Sequence, residues 1–120
     1  MSQELKQATK FDANKLDWSL IPLDSVEEIL KVLEFGKNKY AAWNWASNGG
    51  FKYTRVTNAM QRHLYAFLRG EDTDPETGLS HIAHLGCNVL FLLYYLKHTD
   101  KFANNDDRFL DFAQQEEADE

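Results

Sequence analysis

Cysteine is almost missing from this sequence. Cys87 stands alone among 120 residues, so no internal disulfide can form. That excludes a disulfide-stapled secreted scaffold and leads us to expect a reducing, cytoplasmic setting. Positive charge is in deficit: thirteen basic against nineteen acidic residues give a net charge of -6. Such a balance argues against a nucleic-acid polymer or an anionic membrane as partner, although a local basic patch can still hold one phosphorylated ligand. Long hydrophobic runs are lacking too. The most apolar stretch, residues 85–96, is too short to span a bilayer and is interrupted by Asn88. The opening MSQELKQATK has no apolar core, so it does not read as a signal peptide, and a soluble protein is expected. What the chain does have is 43% hydrophobic residues, enough for one domain with a core that needs no disulfide or structural metal.

Helical spacing dominates the pattern. A first helix is expected from residue 25 to about residue 40, because Ser25 and Glu28 stand three apart as in a capping box. Val26, Ile29, Leu30 and Leu33 make its apolar stripe. Glu27, Lys31 and Glu34 fall on the other side, and Glu28 lies near Val32 and Phe35. AAWNWASNGGF then breaks the period, with Asn48-Gly49-Gly50 as a loop signal. Trp43 and Trp45 in such a loop must bury or stack on a ligand, and Tyr53 is a further candidate for stacking. A second helix is expected over residues 54–69, stopped by Gly70, with Val56, Met60, Leu64 and Phe67 as its core stripe. Ser80 can cap a third helix ending near residue 98. Its Ile82, Leu85, Val89, Leu92, Leu93 and Leu96 cover most of the circumference, as in a central buried helix. No strand is expected, and the fold class is all-α. The helical domain is placed at residues 10–100, entered by an extended, ordered lead-in. Residues 1–9 form a flexible N-terminus, and 101–120 form an acidic tail whose Phe109, Leu110 and Ala113 allow a short helix over residues 106–115.

Polar residues that can carry chemistry gather in three places. His81, His84 and Asn88 share one face of the third helix, either lining a pocket or acting as paired core groups that fix helix packing. Two histidines one turn apart can bind a metal if His63 or the acidic loop supplies a third ligand, though nothing in the sequence demands it. The loop residues Glu71, Asp72, Asp74 and Glu76 either hold magnesium through oxygen ligands or form an ordinary solvated loop. Arg55, Arg62 and Arg69 recur every seven residues and suit phosphate oxygens, or pair with that acidic loop. Glu28 is either a cap or a pocket carboxylate.

Three strings, KFDANKLDWSLIP, EEILKVLEFGKNKYAAWNW and RHLYAFLRGEDTDPETGLSHIAHLGCNVLFLL, resemble the phage-associated dATP/dGTP diphosphohydrolase N-terminal domain. That family is related to the MazG-like all-α nucleotide pyrophosphohydrolases, the phage MazZ enzymes among them. The resemblance covers roughly residues 10–96. It implies a MazG-like bundle of three main helices with short terminal segments, assembled as a homodimer or homotetramer in the host cytoplasm. It implies a purine nucleotide as partner, magnesium or manganese as cofactor, and release of monophosphate and pyrophosphate by a metal-activated water. In that reading Glu28, Glu71 and Asp74 are catalytic, and Glu27, Glu28, Glu34, Asp72 and Asp74 bind metal. Lys31, Lys39, Trp43, Trp45, Arg55, Arg62, His63, His81, His84 and Asn88 bind the substrate.

The departures from the family pattern are chemical. MazG-type enzymes carry E-E-x-x-E on one helix and E-x-x-D on a later one. Here the first reads Glu27-Glu28-Ile29-Leu30-Lys31, and the second falls near Leu85-Gly86-Cys87-Asn88 with no carboxylate at either end. Either Glu34 and the loop at residues 71–76 rebuild a metal site with His81 and His84, or the protein sequesters a nucleotide without cutting it. A helical oligomerisation or interaction protein is the third reading.

Overall fold

The computed structural model describes residues 7–108. Three long helices carry the fold: α1, Leu23–Lys39; α2, Tyr53–Leu68; and α3, His81–Lys97. A single-turn α4, Thr99–Phe102, follows, and short 3-10 turns occupy Trp18–Leu20, Asn44–Gly49 and Ala103–Asn105. Among the described residues there is no strand, only an antiparallel bridge between Thr73 and Ser80 inside the acidic loop. The class is all-α. No helix among these residues is long and apolar enough to cross a membrane.

The helix ends follow local chemistry. Ser80 caps α3 as its sequence suggests, its hydroxyl accepting from the backbone N–H groups of Ile82 and Ala83 at 3.1 and 3.2 Å. Gly70, at φ +94°, ends α2 in a Schellman motif: its N–H reaches the Phe67 carbonyl at 2.9 Å and the Glu71 N–H reaches that of Ala66 at 3.0 Å. The capping box expected at Ser25 does not form. Pro22 occupies the N-cap, and α1 therefore begins two residues upstream of Ser25. Ser25 lies inside the first turn, where its N–H bonds the Asp24 carboxylate at 2.8 Å.

The helix faces differ from their expected orientation. α3 packs against both α1 and α2, and the residues it buries are the small or polar His81, Ala83, His84 and Cys87 and, near its end, the large Tyr95. Ile82, Leu93 and Leu96, assigned to a buried helix by their number, are exposed. Small side chains explain the choice, because they let neighbouring helices approach. A Cβ at Gly86 would stand 2.8 Å from Cδ1 of Ile29 on α1. Val32 is the buried residue of α1, while Val26 and Leu30 face outward, and on α2 the stripe fades past Met60 so that Leu64 and Phe67 are exposed.

Packing also continues past residue 100. Phe102 joins Tyr53, Val56 and Tyr95 in the core, with Trp45, Phe51 and Phe91 against them. Asp107 accepts the Thr54 N–H at 2.9 Å and the Thr54 hydroxyl at 2.6 Å, so the start of α2 is tied by a residue far along the chain. Of the tail helix expected over residues 106–115, residues 106–108 are not helical, and Phe109, Leu110 and Ala113 lie outside the described residues, as do residues 1–6.

Candidate functional site

A cleft of about 590 Å³ opens between the second half of α1, the tryptophan loop and the first half of α3. The loop is shaped by positive backbone angles at Trp43 (φ 62°), Asn48 (φ 52°), Gly49 and Gly50. Glycine tolerates that region, whereas a tryptophan there is under strain and must be held. The Trp43 carbonyl accepts from the Ala46 N–H and the Ser47 hydroxyl, both at 2.9 Å. Trp45 stacks on Phe91, with ring centres 4.6 Å apart, and meets Tyr94 edge-on at 5.0 Å. The hydroxyl of the fully buried Tyr95 donates to the Trp45 carbonyl and accepts from the Phe51 N–H at 3.1 Å. Trp45 is thereby fixed, while Trp43 is 59% exposed. Tyr53 is not available to a ligand: it stacks parallel to Tyr95 in the core.

Several residues singled out in the sequence meet in this cleft: Trp43, Trp45, His84, Asn88, Lys39 and Glu34 all line it. Asn88 donates to the His84 carbonyl at 2.9 Å, which leaves its amide oxygen for a ligand. Asn88 and Phe51 also border a smaller cavity of about 150 Å³ reached by Arg55 and Arg62. Arg69 is apart from both, stacked on Tyr65. None of these three arginines forms an ion pair among the described residues, so pairing with the acidic loop is not what holds them. Glu27, Glu28 and Lys31 do not line the cleft. Glu28 and Lys31 pair with each other at 2.8 Å on the exposed side of α1. Asp72 is exposed and contributes its carbonyl to the His81 N–H at 3.0 Å. Cys87 lines the cleft, but burial pushes its thiol up to about 12, so it is no nucleophile.

Beside the cleft, the acidic loop folds onto histidines from two helices. His63 of α2 and His81 of α3 bring their Nδ1 atoms to 2.8 Å, and His81 Nε2 lies 2.6 Å from Glu71 Oε1. His63 and His84 stack in parallel with ring centres 4.5 Å apart. Asp74 Oδ2 stands 3.9 Å from His63 Nδ1 and 4.0 Å from His84 Nε2. Thr77, which sequence reasoning read only as a turn signal, bonds His84 Nε2 through its hydroxyl at 2.8 Å. That hydroxyl also accepts the Leu79 N–H at 3.2 Å, which holds Thr77 in place beside His84. Burial, together with the nearby His84, holds the His63 imidazole down to about 4; burial also lowers His84. Both rings are therefore neutral near pH 7. His63, Asp74 and His81 place possible ligand atoms within 4.8 Å of one another.

The magnesium or manganese cage that the resemblance implies does not fit the cleft. A hard cation asks for several oxygens, and Glu34 is the single carboxylate among the lining residues. The histidine cluster beside it offers nitrogen instead.

Comparison with known proteins places the chain. Residues 6–107 match the model of the family described as dATP/dGTP diphosphohydrolase, N-terminal. A dATP/dGTP diphosphohydrolase of Salmonella phage PMBT28 is 37% identical over 89 residues, which are 74% of this chain but 30% of that protein. The chain thus spans under a third of its relative's length. No solved structure matches it. A match over nearly all the described residues, and over all three long helices, means that this chain belongs to the dATP/dGTP diphosphohydrolase N-terminal family.

Proposed function

We propose that the cleft binds a purine deoxynucleoside triphosphate and that the chain serves a pyrophosphohydrolase reaction releasing monophosphate and pyrophosphate. The observation that carries this reading is the meeting of Trp43 and Trp45 with His84 and Asn88 in one cleft that Lys37 and Lys39 also line. The indole faces suit a purine ring, and stacking of this kind contributes about 1–3 kcal/mol. The Asn88 amide oxygen and the lined histidine give a base edge partners for hydrogen bonds. The lysines, with Arg55 and Arg62 beyond Asn88, supply charge for the phosphates. The relative's name supports the purine deoxynucleotide and the reaction type. Glu34 is the lone acid of the cleft, so the cleft by itself lacks the carboxylates of a magnesium- or manganese-assisted cut. The same scarcity favours a second reading, in which the chain holds a nucleotide without hydrolysing it.

The test is a panel of nucleoside triphosphates and cyclic nucleotides incubated with the protein and magnesium or manganese. Every nucleotide is then recovered after denaturation and identified. Monophosphate plus pyrophosphate from dATP or dGTP is the expected result. A nucleotide withdrawn from solution and recovered intact would replace hydrolysis by sequestration, and no interaction with any member would sink both.

A further inference from the structure

We infer that His63, Asp74 and His81 form a binding site for a divalent transition-metal ion of the zinc class, distinct from any magnesium carried by a nucleotide. The inference rests on the cluster's own geometry and not on the reading of the cleft.

Three observations point to a metal. The first concerns His81. A carboxylate only accepts, so the His81 nitrogen facing Glu71 at 2.6 Å carries a hydrogen, and in the neutral ring Nδ1 is the acceptor. That nitrogen accepts from His63 Nδ1, 2.8 Å away, so a metal taking both nitrogens moves the His63 hydrogen to Nε2. An imidazole steered in this way by a carboxylate on its far nitrogen is the usual outer support of a metal-bound histidine. The second concerns Asp74. Its Oδ1 accepts the Glu76 N–H at 2.9 Å, but among the described residues its Oδ2 accepts no hydrogen bond. The side chain is only 15% exposed, and Oδ2 stands 3.9 Å from His63 Nδ1 and 4.0 Å from Nε2 of His84 beside the site. The third is convergence: one ligand each from α2, the acidic loop and α3, with His81 6% and His63 16% exposed at the side chain.

The fit to a tetrahedral ion is close. Two nitrogens at about 2.0–2.1 Å from zinc are separated by roughly 3.3 Å. The His63–His81 pair must therefore open by about half an ångström, and Asp74 must close by a similar amount on His63 and by up to about 1.5 Å on His81, whose ligand atom lies within 4.8 Å. Two imidazoles and one carboxylate favour zinc or a neighbouring first-row ion over magnesium or calcium. His84 stays on Thr77 beside the ion. The bound metal clamps the loop at residues 70–80 between α2 and α3, and so fixes Thr77 and His84 on the cleft wall.

The test uses the full chain, free of any affinity tag, stripped with a chelator and dialysed against zinc or magnesium. Zinc is expected at one ion per chain by elemental analysis, with no retention of magnesium. The melting temperature should rise by about 10 °C at free zinc one hundred times the dissociation constant. His63→Ala, His81→Ala and Asp74→Asn should each lose the ion. His98→Ala, outside the cluster, should keep it. Glu71→Gln should stay folded and bind roughly 10–100-fold more weakly. A folded wild-type chain that retains no zinc at micromolar concentration overturns the site. So does equal stoichiometry in the wild type, His63→Ala and Asp74→Asn. If the alanine variants do not fold, the wild-type titration and Glu71→Gln decide the matter.

Discussion

Removing one oxygen from Tyr95 tests how the cleft is built. In Tyr95→Phe the ring keeps its parallel contact with Tyr53 and its tilted contact with Phe102, so apolar burial hardly changes. What disappears is the hydroxyl, which donates to the Trp45 carbonyl and accepts from the Phe51 N–H. Both backbone groups belong to half-buried residues of the tryptophan loop. An unpaired buried polar group costs about 1–3 kcal/mol, and partial access to water trims the sum to about 2–4 kcal/mol. For a chain of this size that is a fall in melting temperature of about 8–16 °C. Urea unfolding should show a lower midpoint with an unchanged slope. A second readout is alkaline. Burial raises the Tyr95 hydroxyl above its ordinary 10.0. A raised folded value means that the stability it lends is complete below pH 10 and is lost as pH climbs above it. The wild type should lose stability there through this group, and Tyr95→Phe should be spared that part of the loss. A Tyr95→Phe protein within about 0.5 kcal/mol of wild type would refute the view that this hydroxyl holds the loop.

Four further outcomes are expected. Trp43→Ala should weaken nucleotide binding about 10–100-fold by titration calorimetry while changing the urea midpoint little; equal losses in binding and stability would make Trp43 a packing residue. Replacing His84 and Asn88 together by alanine should abolish nucleotide binding and leave far-UV circular dichroism intact, whereas loss of helix would favour a purely structural role. Cys87, with its thiol at about 12, should resist alkylation in the native protein at mildly alkaline pH and react once urea unfolds the chain; brisk native labelling would contradict the burial. The hydroxyl and N–H of Thr54 hold the Asp107 carboxyl below its ordinary 3.8, so the stability it lends is present above that pH and is lost as pH falls through its folded value. Urea midpoints of wild type and Asp107→Asn should therefore differ near neutrality and converge in acid; parallel curves would remove the cap.

The three long helices were legible because their signals are local. Apolar spacing located α1, α2 and α3, and Ser80 and Gly70 marked ends that the structure places within a residue or two. The orientation of α3 was not legible. Leucines nearly all round its circumference leave no contrast from which to choose a buried side. The choice was made by Gly86 and Ala83, which admit neighbouring helices, and by histidines whose partners lie on other elements. The capping box failed for a similar reason. Pro22, three residues earlier, offered the chain a start that the Ser25 and Glu28 pattern does not reveal. In the candidate site, the joint helical face of His84 and Asn88 was readable, and so was the need of Trp43 and Trp45 for a surface. The pairing of His63 with His81 across two helices was not, since no spacing within one helix encodes the distance between two.

An acidic loop at the head of an apolar helix follows from which face of α3 is buried. Imidazoles turned inward need acceptors and donors at short range. The chain supplies them from the segment just before the helix: Glu71 for His81, Thr77 for His84, and Asp74 near His63 and His84. Carboxylates at this end of the helix also meet its positive pole, which favours the same placement. Glu71 sets a hydrogen on the facing nitrogen of His81, and the Leu79 N–H anchors the hydroxyl of Thr77 that meets His84, so the loop sets where each ring sits. A network determined to that degree holds His84 at one angle on the cleft wall. The leucines on the opposite face of α3 have no part in it, and they are free to serve whatever surface the chain meets.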